Sequence, residues 1–161
     1  MTKFNITDTV YGDKYNKDLP SIFKISFGDT GKYYIHKGKN ADDSVKSFLY
    51  AVNRGIIGEK CPPEYHLVVK YLKAYPAIQK VKVDVLFNGE PETILPKEAT
   101  FLKSAYKDVN CLNDKKVKAY VPQWLEKATY KCKEGECITA GTIGRKKQQF
   151  KYCPVCGNRN P

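Results

Sequence analysis

Four cysteines towards the carboxyl end of the chain are the residues whose types and spacing most directly indicate chemistry. Four residues separate Cys132 from Cys137, fifteen more follow, and Cys153 and Cys156 then form a second short-spaced pair. Two such pairs can bring four thiolates into the tetrahedral arrangement that Zn²⁺ prefers, with sulfur–metal distances of about 2.3 Å. The spacing therefore predicts a four-sulfur metal site, with zinc favoured and iron left open as the other metal.

The alternative interpretation of these cysteines is a pair of disulfides, which need an oxidising compartment. The chain starts Met1-Thr2-Lys3-Phe4-Asn5 and continues with polar and charged residues, so no secretory signal is expected. Four sulfur ligands leave no open position for water, so the zinc is expected to be structural and residues 129–161 are predicted to form a zinc ribbon. Cys61 and Cys111 lie outside the pattern and are predicted to be small buried apolar residues.

A β-hairpin is the first element expected ahead of this unit. Two runs rich in Ile, Phe and Tyr, at 21–27 and 32–37, flank the segment Gly28-Asp29-Thr30-Gly31. Its two glycines and its Asp favour a tight connection between antiparallel strands. Residues 81–87 alternate in polarity and predict a further, half-buried strand.

Three helices are expected around these strands. The first runs from Asp42 to Arg54 and ends at Gly55, with apolar residues at helical spacing: Val45, Phe48, Leu49 and Val52. The second is expected at 63–75, is ended by Pro76, and has three inward side chains: Tyr71, Leu72 and Tyr75. The third opens at Pro96-Lys97-Glu98 and carries apolar residues as far as Val109.

Hairpin, helix, strand and helix, in this order, resemble the GIY-YIG family of nucleases. The family has Gly-Ile-Tyr on its first strand and Tyr-Ile-Gly on its second, where this chain has Ser21-Ile22-Phe23 and Tyr34-Ile35-His36. The resemblance covers residues 20–114 and implies an α/β (α+β) fold, a small sheet with flanking helices. It also implies the chemistry of the family. A tyrosine acts near the attacking water or as its base, an arginine stabilises the charge on the phosphate, and a glutamate binds a divalent metal.

This sequence departs from that chemistry at two of the three groups. Phe23 stands at the position of the first-motif tyrosine and has no hydroxyl. No arginine stands in register on the first helix, where the nearest cations are Lys46 and Arg54, and a lysine lacks the planar fork of a guanidinium. A catalytic site is therefore not expected.

Three residues remain as vestigial candidates for that site: Tyr34, His36 and Glu98. Tyr34 is expected to be a packing residue, and Glu98 to interact with free amides in the first turn of its helix. His36 is expected to fill the former site, with a role as general base of near-neutral pKa as the other interpretation.

The chain divides into four parts: an amino-terminal arm at 1–19, the GIY-YIG-like domain at 20–114, a connector at 115–128 and the ribbon at 129–161. The arm either pairs as an edge strand in its own chain or reaches a neighbouring subunit, which is the favoured interpretation. No apolar run is long enough to cross a bilayer, so no membrane partner is expected.

Positive charge is concentrated at the carboxyl end. Residues 115–161 carry 11 Lys and Arg against 3 Glu, for a net +8, which leaves +3 of the formal +11 to residues 1–114. Arg145, Lys146 and Lys147 lie between the two cysteine pairs, flanked by Phe150 and Tyr152. Such a basic, aromatic segment can contact nucleic acid or an acidic protein surface.

The combination predicts a non-catalytic structural or interaction protein. An auxiliary capsid component of a tailed-phage particle is the specific expectation, with a major capsid protein as partner and the virion or host cytoplasm as location. Two alternatives stay open: a nucleic-acid-binding adaptor that uses Arg145, Lys146 and Lys147 on DNA, and a metal-dependent endonuclease with altered chemistry.

Overall fold

The computed structural model describes residues 4–116, in which a four-stranded mixed sheet is flanked by three helices. The fold is therefore α+β, as predicted. Both hairpin strands and the third predicted strand are present within a residue or so of their expected bounds. The elements, in chain order, are β1 (Asn5–Val10), β2 (Ser21–Phe27), β3 (Tyr33–Gly38), α1 (Ala41–Ile56), α2 (His66–Ala74), β4 (Lys80–Asn88) and α3 (Pro91–Ala105).

The strand order in the sheet is β1-β4-β2-β3. Strand β2 pairs antiparallel with both β3 and β4, whereas β1 pairs parallel with β4 at the opposite end of the sheet. The amino-terminal arm thus supplies an edge strand to its own chain. Asn5–Val10 follows the first of the two interpretations, because the open side of β4 offers its amides and carbonyls within the same chain, and a contact of the arm with a neighbouring subunit stays a prediction.

The other edge of the sheet, at β3, is covered by the segment that follows α3. Tyr33 forms a bridge with Cys111, and the Asn113 side chain accepts a hydrogen bond from the Ile35 amide at 2.8 Å. The same carboxamide donates to the Ile35 carbonyl at 2.9 Å. A side chain therefore satisfies backbone groups that an edge strand would otherwise leave unpaired.

Apolar side chains pack on both faces of the sheet. Helices α1 and α2 cover one face, and their cluster includes Phe23, Phe27, Phe48 and Leu72. Helix α3 covers the other face with a smaller cluster: Ile22, Tyr33, Ile35, Ile94, Leu95 and Ala105. Because side chains alternate along a strand, the large apolar residues of β2 and β3 are divided between the two clusters.

Helix α1 begins at a capped amino terminus. The Asn40 side chain accepts hydrogen bonds from the Asp42 and Asp43 amides, which satisfies two of the free donors of the first turn. The predicted apolar stripe is buried throughout. Gly55 does not end the helix as expected. It is buried inside the last turn, and a Cβ there would come within 2.8 Å of Cys61 Sγ and of a Val69 methyl, so close packing explains this glycine.

Helix α2 is shorter than predicted, because residues Pro63–Tyr65 form a separate 3₁₀ turn before it. Leu72 is fully buried and Tyr71 partly so, but Tyr75 is 55% exposed. The expectation that Tyr75 faces inward was wrong, because the helix ends at Ala74 and the backbone of Tyr75 leaves helical geometry.

Helix α3 begins five residues earlier than predicted. Pro91 occupies its first turn and Pro96 lies inside it. Both prolines fit the sequence rule for a helix start, but Ile94 and Leu95 are buried against the sheet, and their burial requires helix ahead of Pro96. The helix also ends at Ala105, so Val109, expected on its apolar face, is 85% exposed.

Two predictions about the rest of the chain lie outside the described residues. The cysteine quartet and the basic residues at 145–147 belong to the segment after residue 116.

Between residues 4 and 116, none of the helices has both the length and the apolar character that a membrane crossing requires.

Candidate functional site

The vestigial candidates on β3 lie on the face of the sheet that α1 and α2 cover. Tyr34 is opposite Ile25 and His36 is opposite Phe23 in the antiparallel register with β2. Their rings form what we call the aromatic cluster: Phe23, Tyr34, His36, Phe48 and Tyr65. The alternation of strand side chains thus gathers the family-motif positions of both strands at one place.

Tyr34 is held by ring contacts on two sides. Its ring stacks on Phe48 with centroids 4.9 Å apart, meets Tyr65 edge-on at 5.6 Å, and is 5% exposed. Burial raises the pKa of its hydroxyl well above the ordinary value, with smaller effects from Tyr65 and from nearby carboxylates. The hydroxyl therefore keeps its proton near neutral pH and does not act there as a base.

His36 is a partly exposed ring enclosed by the same aromatic side chains. Its centroid lies 5.2 Å from that of Phe48, 5.4 Å from Phe23 and 6.0 Å from Tyr65. Desolvation, and after it the charge of Lys37, lowers the pKa of His36 to about 3. The imidazole is consequently neutral at pH 7, and a proton acceptor of pKa near neutrality, which general-base catalysis favours, is not present at this position.

Phe23 completes this environment at the position of the family's first-motif tyrosine. It is fully buried, and its ring meets His36 at an interplanar angle of 74°. The position that would present a hydroxyl to a substrate therefore contributes packing alone.

Glu98 lies on the other face of the sheet. Its carboxylate accepts hydrogen bonds from Lys37 Nζ at 2.7 and 2.8 Å, and both side chains are only 8% exposed. Lys37 is opposite Ile22 on β2, a member of the cluster beneath α3. Both carboxylate oxygens are thus engaged by an ammonium group, and the charge of Glu98 affects Tyr34 only as one of the smaller contributions to the raised pKa of that hydroxyl.

The partner of Glu98 is the residue that sequence reasoning missed. Glu98 is the eighth residue of α3 rather than a member of its first turn, so its expected interaction with free helix amides was wrong. The alternation along β3 was a usable signal. It places Lys37 on the face of Tyr33 and Ile35, where a buried ammonium group needs a counter-charge.

The cations considered for phosphate stabilisation lie apart from these groups. Lys46 and Arg54 are exposed on α1, and the Arg54 guanidinium donates from Nε to Glu59 at 2.7 Å. Its position above the Tyr50 ring, 5.9 Å from the centroid, keeps it on the outer surface of the helix. The three groups of the family chemistry are therefore not assembled at one place in residues 4–116.

Metal-binding and thiol groups of this region are similarly dispersed. Between residues 4 and 116, no group of three or more His, Cys, Asp or Glu side chains could hold a metal ion. Cys61 and Cys111, predicted to be small buried apolar residues, are partly buried and pack against the two apolar clusters. Cys61 packs beside the core under α1 and α2, while Cys111 Sγ donates to Asn113 at 3.3 Å.

Comparison of the chain with protein-family models, with curated proteins and with solved structures finds no match.

Proposed function

We propose that this protein is a non-catalytic structural or interaction protein. The observation that carries the proposal is the ion pair of Lys37 and Glu98, which occupies the one carboxylate that the family resemblance would assign to a metal. The packing of Tyr34 and the lowered pKa of His36 support it on the other face of the sheet. A nuclease needs its nucleophile activation and its metal ligand within reach of one phosphate, and here Lys37 holds the carboxylate while Tyr34 is buried among rings.

We also propose that the fold of this domain derives from a GIY-YIG-like domain. The hairpin β2–β3, followed by α1, α2, β4 and α3, has the element order that motivated the resemblance. A sheet of this kind can retain its packing after its chemistry is lost, because stability and catalysis depend on different residues. Strand β1 is an addition that the resemblance does not cover.

A plasmid-nicking assay tests the absence of catalysis. The full chain is incubated with supercoiled DNA and either Mg²⁺ or Mn²⁺, beside a Glu98→Gln variant and a Lys37→Met/Glu98→Leu variant whose folding is checked by circular dichroism. We expect no nicking by any of them, while an unrelated nicking enzyme works in the same buffers. Nicking by the wild-type protein that both folded variants lose would overturn the proposal.

A structural zinc ribbon at Cys132, Cys137, Cys153 and Cys156 is the second part of the proposal. Its support is the spacing of the two cysteine pairs, and its surface is where a partner is expected to bind. Elemental analysis of the purified full chain should give one zinc ion per chain, and Cys132→Ser with Cys153→Ser should abolish it. Iron with a visible absorption band, or metal retained by the double variant, would contradict this part.

The partner proposed is a protein of a large assembly, specifically the capsid of a tailed-phage particle. The support is the combination of a small domain, in which residues 4–116 assemble no catalytic site, with a predicted binding module. Quantitative mass spectrometry of purified particles should find the chain at a fixed stoichiometry to the major capsid protein. A chain found only in the soluble fraction of the infected host would contradict the assignment.

A nucleic-acid-binding adaptor is the second candidate, because residues 115–161 carry a net charge of +8. Gel-shift affinity for DNA should then fall steeply with salt, since phosphate contacts release counterions. Replacing Arg145, Lys146 and Lys147 by Gln should remove most of that affinity. A matched variant with Lys14, Lys17 and Lys103 replaced by Gln has the same net charge and should retain it.

A further inference from the structure

The helical layer over the aromatic cluster contains a cavity that plays no part in the site described above. It is an open cleft with a volume of about 510 Å³, and it lies between the carboxyl end of α1 and one side of α2. Cavities of about 300–1,000 Å³ are the size that accommodates small organic ligands. The cavity is therefore large enough for a ligand of nucleotide size.

Helix α2 presents one consistent face to this cavity. His66, Val69, Lys70 and Lys73 line it and follow the three- and four-residue spacing of a single helix face. Val69 is buried against the core, whereas His66 and both lysines are exposed. The face thus combines an apolar base with two ammonium groups at its margin.

The opposite wall comes from the segment that follows α1. It contributes Lys60, whose exposed ammonium group adds a third positive charge, and Cys61, whose Sγ lies beside Gly55. A Cβ at Gly55 would collide with this sulfur and with a Val69 methyl at 2.8 Å, so the absence of a side chain there lets the two helices approach closely at the base of the cavity. The base is accordingly apolar and well packed.

The charge of the lining is positive. Among residues 4–116, the ion pairs within 4 Å are those of Lys37, Arg54 and Lys82, so Lys60, Lys70 and Lys73 have no carboxylate partner in this part of the chain. Glu59 also lines the cavity, but its carboxylate accepts from Arg54 Nε at 2.7 Å. Three ammonium groups are therefore left to attract an anion.

The carboxyl end of α1 does not cancel this charge. Three of its last four carbonyls, those of Asn53, Arg54 and Gly55, accept hydrogen bonds from the amides of residues 57, 59 and 58 respectively. Satisfied carbonyls present less partial negative charge to the cavity than free ones would. An anion in the cavity consequently meets ammonium groups beside a helix end whose carbonyls are mostly hydrogen-bonded.

We propose that this cavity binds a phosphorylated ligand of nucleotide size. Its phosphate groups contact Lys60, Lys70 and Lys73, and its less polar part lies against Cys61 and Val69. Ammonium groups are common phosphate ligands, and a packed apolar base gives a planar ring system a surface to contact. The inference does not rest on the proposed function, because it uses no residue of the aromatic cluster or of the ion pair.

Isothermal titration of the full chain with ATP at low salt tests the proposal. A Lys60→Gln/Lys70→Gln/Lys73→Gln variant should bind at least about tenfold more weakly, equivalent to about 1.4 kcal/mol. The control variant Lys14→Gln/Lys17→Gln/Lys103→Gln loses the same charge from exposed sites away from the cavity and should bind within about twofold of wild type. Equal losses in both variants would mean non-specific attraction to a basic protein and would overturn the proposal.

Two further arms identify the source of the phosphate. Inorganic phosphate should bind much more weakly than ATP, and equal affinity would overturn the assignment of a nucleotide-sized ligand. A short single-stranded oligonucleotide with a terminal phosphate is titrated in parallel. If it binds more tightly than ATP and loses affinity in the cavity variant alone, a nucleic-acid end is the source; if ATP binds more tightly, the source is a free nucleotide. No binding of any of these three probes at millimolar concentration would overturn the proposal.

Cys61 provides a readout that depends on location. Alkylation with iodoacetamide, followed by peptide-resolved mass spectrometry, reports the accessibility of Cys61 and Cys111 separately in the same sample. Saturating ATP should slow alkylation of Cys61 several-fold and leave Cys111, which lies beside β3, unchanged. Unchanged alkylation of Cys61 in protein that binds ATP would place the ligand elsewhere and contradict the proposal.

Discussion

The two faces of the sheet bury polar atoms in different ways. Beneath α1 and α2, the hydroxyl of Tyr34 and the imidazole of His36 lie among stacked rings, and both groups are neutral at pH 7. Beneath α3, Lys37 and Glu98 are buried as a charged pair. One face therefore suppresses ionisation, whereas the other keeps two charges and neutralises each with the other. The two faces therefore accommodate buried polar groups by different means within one domain.

The largest change in the free energy of unfolding is expected when a ring is removed from the aromatic cluster. Phe48 is almost completely buried and contacts Tyr34, His36 and Tyr65. Replacing it by alanine should lower the free energy of unfolding by about 4 kcal/mol, because a cavity is left in the core. Urea denaturation monitored by circular dichroism measures the change. A loss below about 1 kcal/mol would contradict a central packing role for this ring.

The ion pair should give the next largest effect. Glu98→Ala leaves the Lys37 ammonium group buried without its partner, so the free energy of unfolding should fall by about 3 kcal/mol. The Lys37→Met/Glu98→Leu variant removes both charges. Its free energy of unfolding should exceed that of the single variant by about 2 kcal/mol. The same urea titrations compare the two. Equal losses in single and double variants would mean that packing volume, and not the unpaired charge, determines the effect.

The pH dependence of stability should separate the two faces. The pKa of His36 is about 3 in the folded protein and near 6.5 in the unfolded chain, so the unfolded state binds more protons as pH falls through 6.5. Stability should therefore be highest above pH 7 and fall between pH 6.5 and pH 3.

Between pH 7 and pH 5 the contribution of His36 is about 1–2 kcal/mol, reduced for its partial exposure. Urea titrations of the wild type and of His36→Phe at both values isolate this contribution. The variant should lose less stability on acidification than the wild type. Identical slopes would mean that the imidazole accepts its proton in the folded state.

The smallest expected effect lies at the margin of the aromatic face. Asn40→Ala removes the side-chain cap of α1 and should cost about 1 kcal/mol without altering the pH slope. Thermal unfolding at pH 7 and pH 5 checks both statements. Asn40→Asp serves as the control, because it retains an acceptor for the amides of Asp42 and Asp43 and should stay closer to wild type.

Local signals in the sequence predicted most of the sheet and the first helix. The turn residues at 28–31 and the stripe from Val45 to Val52 depend on neighbours within a few positions, and the structure has both where they were expected. The predicted start of α3 was wrong because two prolines both satisfy the local rule for the first turn of a helix. The choice between them depends on contacts of Ile94 and Leu95 with a distant strand.

The candidate site was harder to predict for the same reason. Glu98 and Lys37 are 61 residues apart in sequence, and no short pattern shows that α3 turns this carboxylate toward β3. Gly55 likewise had an ordinary local meaning as a helix stop, whereas its role depends on Val69 across the helix interface. Long-range packing, and not propensity, decided these positions. The zinc ribbon and the basic segment lie outside the described residues and stay predictions.

The carboxamide of Asn113 has a consequence for how copies of this domain can associate. By bonding both backbone groups of Ile35, it imitates one residue of an additional strand and closes the β3 side of the sheet to further strands at that point. In residues 4–116, β1 pairs only with β4, so its outer side is the remaining edge for such growth. Two domains joined through β1 would form a continuous eight-stranded sheet with a closed side at each end. Backbone pairing between sheets would then stop at a dimer instead of continuing into a fibre.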